Sequence, residues 1–130
     1  MRANTRRPTR EGPAGGMEGT VDIQLDQRSE GGWDVVDVTG DVDLASAPAL
    51  RARLDDLLAD GSRRVLVNLQ QVAFMDSSGL SAIVSGMKGM RERGGEIAIA
   101  CANASILKIF SITGLDRVVS IHATVAEAIT

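Results

Sequence analysis

The sequence predicts an α/β fold: a mostly parallel mixed sheet with a hairpin at its amino-terminal edge and about four helices. Three observations predict it. Short β-type runs alternate with helical stripes from residue 40 onward, an order that calls for parallel strands joined by crossover helices. The first two β-type runs follow one another across Glu30-Gly31-Gly32, as in a hairpin. RVLVNL (Arg64 to Leu69) is a short apolar run of the kind found in a strand buried on both faces.

Each element has a local reason. From Thr20, Val21, Ile23 and Leu25 alternate with Asp22, Gln24 and Asp26, the period-two pattern of a strand with one buried face. Trp33 to Thr39, rich in Val, is its hairpin partner. GDVD (Gly40 to Asp43) breaks the pattern, and Ser46 is expected to cap a helix whose Leu50, Leu54, Leu57 and Leu58 lie on one face. Pro48 is tolerated in that helix because the first turn has amides without internal partners. Gly61 ends it, and the Arg64 to Leu69 strand follows.

The segment VAFMDSSGL (Val72 to Leu80) leads into a second helix, whose stripe is Leu80, Ile83, Val84, Met87 and Met90. Gly94-Gly95 stops this helix in the manner of a left-handed cap. Glu96 to Cys101 is a further strand, and Asn103 caps a short helix carrying Leu107 and Phe110 that ends near Gly114. Arg117 to Ile121 is expected to be the last strand. Thr124 and Glu127 have capping-box spacing for a terminal helix.

The 130 residues fit one domain, expected to span residues 20–130 after an Arg/Gly/Pro-containing disordered tail, residues 1–19. Met17 is an alternative start of translation. Aromatic residues make up 2% of the chain, too few for the stacking platforms of sequence-tolerant nucleic-acid binding. Residues 1–16 hold four arginines against Glu11, or +3, so a net charge of -3 leaves -6 for the rest. An acidic body suits a basic protein partner better than a phosphate backbone, and neither nucleic acid nor a membrane is expected as a direct partner. The single cysteine, Cys101, has no disulfide partner within the chain, and no His or Cys cluster suggests a metal or other cofactor. With no secretory signal pattern and no apolar run of about 18 residues, the expected location is the cytoplasm.

The chemistry concentrates at Asp76-Ser77-Ser78-Gly79, where an apolar run stops at an acid, two hydroxyls and a glycine before a helix. One reading is structural: Asp76 or Ser77 is the N-cap, and Gly79 permits a tightly packed turn. Another is that the helix start, with unpartnered amides and roughly half a positive charge, is ready to hold a phosphoryl group on Ser77 or Ser78. A nucleophile elbow would need Gly at position 75 or 76, where Met75 and Asp76 stand. The single histidine, His122, is read as structural or surface. No phosphate-binding loop occurs, and Gly86-Met87-Lys88-Gly89 is read as small residues allowing close helix packing.

Five segments taken together, GDVD, RVLVNL, FMDSSGL (Phe74 to Leu80), RGGEIAIA (Arg93 to Ala100) and FSITGLDRVVSI (Phe110 to Ile121), resemble the anti-sigma factor antagonists. These are single STAS-domain proteins of bacterial partner-switching systems, and the resemblance runs from about Val21 to Ile129. It implies a STAS-type fold and a regulatory binding module without catalysis of its own. It implies that Ser77 is phosphorylated by an anti-sigma factor, a GHKL-type serine kinase, and that a PP2C-type phosphatase reverses the modification. Asp43, Asp76, Ser78 and Gly79 are the implied partner-binding residues. The alternative kept beside this is a STAS scaffold or ligand-sensing subunit with a different partner.

Overall fold

The computed structural model describes residues 23–130, so the Arg-rich residues 1–19 and the first part of the expected first strand lie outside the described residues. β1 (Ile23–Glu30) and β2 (Trp33–Gly40) form the antiparallel hairpin, turning through Gly31 and Gly32 at positive φ. There follow α1 (Ala47–Ala59), β3 (Arg64–Gln71), α2 (Ser77–Glu92), β4 (Glu96–Ala100), α3 (Ala104–Thr113), a 3-10 turn at Leu115–Arg117, β5 (Ser120–His122) and α4 (Val125–Ile129). The five strands lie in sequence order in one sheet, with β2 through β5 parallel.

That order explains the layers. Crossovers that all advance in one direction with the same right hand place their helices on the same face. α1, α2 and α3 accordingly bury Leu50, Leu54, Ile83, Met87, Ile106 and Phe110 against Val36, Val38, Val67 and Ile99 of the sheet. α4 follows the last strand, is bound by no crossover, and covers the opposite face, where Val125 joins Trp33, Val35, Leu66, Ala98 and Ala100. β3, in the middle, is buried on both sides, as its apolar run predicts.

α1 and α2 approach closely because α2 presents glycine at the contact. A Cβ on Gly86 would stand 2.9 Å from Leu54 Cδ1, and one on Gly89 2.6 Å from Leu58 Cδ2. On the α4 side, Arg28 Nε donates to Asp37 at 2.7 Å and Asn68 Nδ2 donates to the same carboxylate at 2.8 Å, tying β1, β2 and β3. The Arg28 guanidinium holds the Asp37 carboxyl below its ordinary range.

The carboxyl-terminal part departs from the sequence expectation in one place. Arg117 to Ile121 is not a strand throughout: Gly114 takes a left-handed conformation, φ 77°, and the chain winds into the 3-10 turn before β5 begins at Ser120. Leu115 and Val119, four apart, are both buried, and the N–H of Val119 donates to the Leu115 carbonyl. The apolar pair Val118-Val119 looks like strand, but the helical spacing of Leu115 and Val119 governs.

Candidate functional site

Beyond β3 the chain runs through Val72 to Met75 and meets the loop that leaves β2. Val42 and Met75 form a parallel bridge; Val42 N–H donates to the Phe74 carbonyl at 2.9 Å, and Asp76 N–H donates to the Val42 carbonyl at 3.2 Å. GDVD and DSSG, 33 residues apart in sequence at their aspartates (43 and 76), are thereby fastened together at the carboxyl ends of β2 and β3.

Asp76 is the N-cap of α2. Its backbone is extended (φ -107°, ψ -170°), and its Oδ1 accepts from Ser78 N–H at 2.8 Å and Gly79 N–H at 3.4 Å. Of the two residues the sequence offers as cap, the acid takes the role, leaving the Ser77 hydroxyl outside the cap at an exposed first helical position. The same bonds correct the expectation of free amides around a phosphoryl group: the Ser78 and Gly79 donors are already engaged by a carboxylate. Anion stabilisation at this end therefore rests on the helix dipole, and Asp76 opposes it.

Gly79 is buried, and its lack of a side chain is required by contact. A Cβ there would lie 2.7 Å from Val42 Cγ1 and 2.9 Å from Met75 Cγ. Ser78, half-buried, faces α1 across a groove of about 250 Å³ lined by Ala47, Pro48, Arg51, Ser78, Ser81 and Ala82.

Asp43 organises its own loop. Its Oδ1 accepts from the N–H of Ala45 and of Ser46, both at 3.1 Å, and its carbonyl accepts from Ala47 N–H at 2.7 Å. Ser46 stands at the N-cap position of α1 without capping it through its side chain, contrary to the sequence expectation. Its buried hydroxyl instead donates to the Asp41 carbonyl at 2.7 Å and accepts from Asp43 N–H at 2.9 Å. The reason is geometric: Ser46 has αR backbone angles (φ -98°, ψ -23°), whereas a side-chain cap normally needs an extended residue.

Asp43, on the loop after β2, and Asp76, Ser77, Ser78 and Gly79, at the cap and first turn of α2, are thus held edge to edge. Three contributors escaped the sequence reading. Arg51 reaches the groove because α1 lies against α2, while exposed Leu44 and Phe74 sit on the two bridged segments. His122 is on β5, two strands from β3, and its backbone carbonyl accepts from Cys101 N–H. Among the described residues no group of three His, Cys, Asp or Glu could hold a metal ion, and no helix is long and apolar enough to cross a membrane.

The cap can be tested by itself. Asp76→Ala is expected to lower the unfolding free energy by about 0.5–2 kcal/mol, and Asp76→Asn by much less, because the amide oxygen still accepts from the helix amides. Urea unfolding midpoints check this. Equal losses for both variants would show that charge, not capping, is what Asp76 contributes to stability.

Comparison with known proteins places these loops in context. Residues 24–128 match the STAS domain. The chain is 30% identical over 103 residues to the anti-sigma-B factor antagonist of Bacillus subtilis, covering 79% of this chain and 94% of that protein. It is 28% identical over 102 residues to the protein of the same name in Staphylococcus aureus, covering 78% and 94%. In structure it is similar to an anti-sigma factor antagonist from Mycobacterium paratuberculosis, with a TM-score of 0.75, 24% identity, and coverage of 82% and 90%. The phosphorylated form of the Bacillus cell fate determinant SpoIIAA superposes with a TM-score of 0.65 at 24% identity, covering 82% and 96%. At such identities the structural likeness is one of fold.

Proposed function

The chain belongs to the STAS domain family, among relatives that are anti-sigma factor antagonists, and on that premise we propose that it is a phosphorylation-controlled antagonist of an anti-sigma factor. In its unphosphorylated form it binds an anti-sigma factor serine kinase of the GHKL type and frees that factor's sigma factor for transcription. Phosphorylation of Ser77 ends the binding, and a PP2C-type phosphatase restores it. The protein acts as a binding module rather than an enzyme, in the cytoplasm, through one STAS domain spanning residues 20–130.

The observation that carries this reading is the exposed Ser77 hydroxyl, held one residue beyond a capping carboxylate on a backbone pinned by the Val42–Met75 bridge. A hydroxyl so placed is open to a kinase and fixed relative to the partner-binding residues Asp43, Asp76, Ser78 and Gly79. Phosphorylation adds about -1.5 to -2 charge at pH 7. With the Asp76 carboxylate beside it, a partner surface matched to the neutral serine meets a strongly anionic one. Each loss of about 1.4 kcal/mol weakens binding tenfold. The helix dipole offsets part of the repulsion between the new charge and Asp76, so the switch acts through the surface charge and requires no rearrangement of the fold.

Two substitutions test the switch. Ser77→Ala is expected to bind the anti-sigma kinase as the wild type does and to resist phosphorylation. Ser77→Asp is expected to bind at least tenfold more weakly in a titration calorimetry experiment. If both variants bind like the wild type, the switch is not at Ser77.

A further inference from the structure

Taking Ser77 as the acceptor, we propose that Leu44 and Phe74 are the apolar anchors on which the serine kinase docks, inside a rim formed by Asp41, Asp43 and Asp76. Leu44 is 77% exposed and Phe74 is 50% exposed. A single exposed apolar side chain is ordinary on a protein surface. The placement of this pair is not ordinary, because they stand on the two segments that the Val42–Met75 bridge fastens together. Phe74 precedes Ser77 by three residues, so their Cα atoms lie within about 10 Å of each other. Leu44 is two residues from Val42, whose N–H and carbonyl bond Phe74 and Asp76.

The occupant follows from reach. A kinase can phosphorylate Ser77 only by bringing its own surface against the side chains around that hydroxyl. A standard interface buries about 800 Å² on each partner, a disc of about 16 Å radius, and both segments that carry the pair pass within that reach of Ser77. The other two large hydrophobics that stand exposed among the described residues, Ile112 and Val118, lie at the end of α3 and after the 3-10 turn. α3 starts from the carboxyl end of β4 and runs back toward the amino-terminal ends of the parallel strands, and the Val118 carbonyl accepts from Arg91 in the last turn of α2, so both lie away from Ser77.

The backbone beneath the anchors is held before any partner arrives. Val42 and Met75 are buried, and the carboxylates of Asp43 and Asp76 each accept two backbone amides. Docking therefore orders little chain, which favours affinity. An apolar centre with a polar rim is the usual anatomy of a binding hot spot. The acidic rim defines the partner's chemistry: an apolar pocket bordered by basic side chains. The same arrangement sharpens the switch, since a phosphate on Ser77 sits at the edge of an apolar contact and must lose water for the partner to dock.

Binding of the protein's own anti-sigma serine kinase to the wild type, Leu44→Gln, Phe74→Gln, Ser77→Asp and Ile112→Gln tests this by titration calorimetry. All of the first pair's expected losses are tenfold or more, with Ile112→Gln within twofold of the wild type and urea midpoints of the three Gln variants unchanged. Wild-type binding that survives both Leu44→Gln and Phe74→Gln within twofold, or that Ile112→Gln weakens equally, overturns the anchors while leaving the switch intact. A wild type that does not bind, or a Ser77→Asp that binds as tightly, overturns the functional reading and the anchors with it.

Discussion

Phe110→Ala is expected to lower the unfolding free energy by about 3–5 kcal/mol, the range for emptying a buried aromatic site. Phe110 is fully buried on α3, in the cluster formed with Ile106, Leu115 and Val119 against the sheet. Aromatic residues are only 2% of this chain, and the other phenylalanine, Phe74, is half exposed, so Phe110 is the single phenyl ring in this core. Its aliphatic neighbours sit on α3, the 3-10 turn and the sheet, so closing the gap would take a joint shift of three elements. A domain of this size has about 5–15 kcal/mol in total, so the substitution removes a large share. Urea denaturation with an unchanged m-value checks it. A loss under 1 kcal/mol would mean that α3 collapses onto the sheet without the ring.

Gly79→Val is expected to cost about 3 kcal/mol, the upper end of overpacking, and, on the proposed role of Ser77, to reduce its phosphorylation well beyond what the stability loss explains. The Cβ alone would be 2.7 Å from Val42 Cγ1, an atom of a fully buried side chain. Met75 Cγ, at 2.9 Å, closes the other side. Relief requires α2 to lift away from the Gly40–Ser46 loop, which stretches the bonds from Val42 to Phe74 and Asp76. Those are the bonds that hold the start of α2, and with it Ser77, in place. The modest gain in helix propensity from replacing glycine, under about 1 kcal/mol, does not offset this. The urea midpoint and the rate of Ser77 phosphorylation, measured on the same protein, separate the two effects. Wild-type phosphorylation at a lowered midpoint would show that the bridge does not position Ser77.

Most of the architecture is legible in local patterns. The β1 alternation, the leucine stripe of α1 and the Met-containing stripe of α2 each mark within a few residues which face is buried, and the Asn103 and Thr124 caps are contacts within a few residues. Asn103 Oδ1 accepts from Ser105 N–H at 2.9 Å, and Thr124 Oγ1 accepts from Glu127 N–H at 3.1 Å. Where two local signals compete, local reading fails. Ser46 has a capping side chain on a residue whose backbone is already helical, and Val118-Val119 has β-branched residues inside a helical spacing.

Periodicity and caps thus suffice for the element order, the hairpin, the central buried strand and the candidate Ser77 at a helix start, because these depend on short-range sterics and on which face is apolar. The choice of Asp76 over Ser77 as cap, the engagement of the Ser78 and Gly79 amides, the arrival of Arg51 at the Ser78 groove and the joining of Leu44 to Phe74 depend instead on the Val42–Met75 bridge and the α1–α2 contact. Both connect segments about 30 residues apart. Which partner a hydrogen-bonding group meets across that separation is decided by how the layers pack, and no window of sequence a few residues wide carries it.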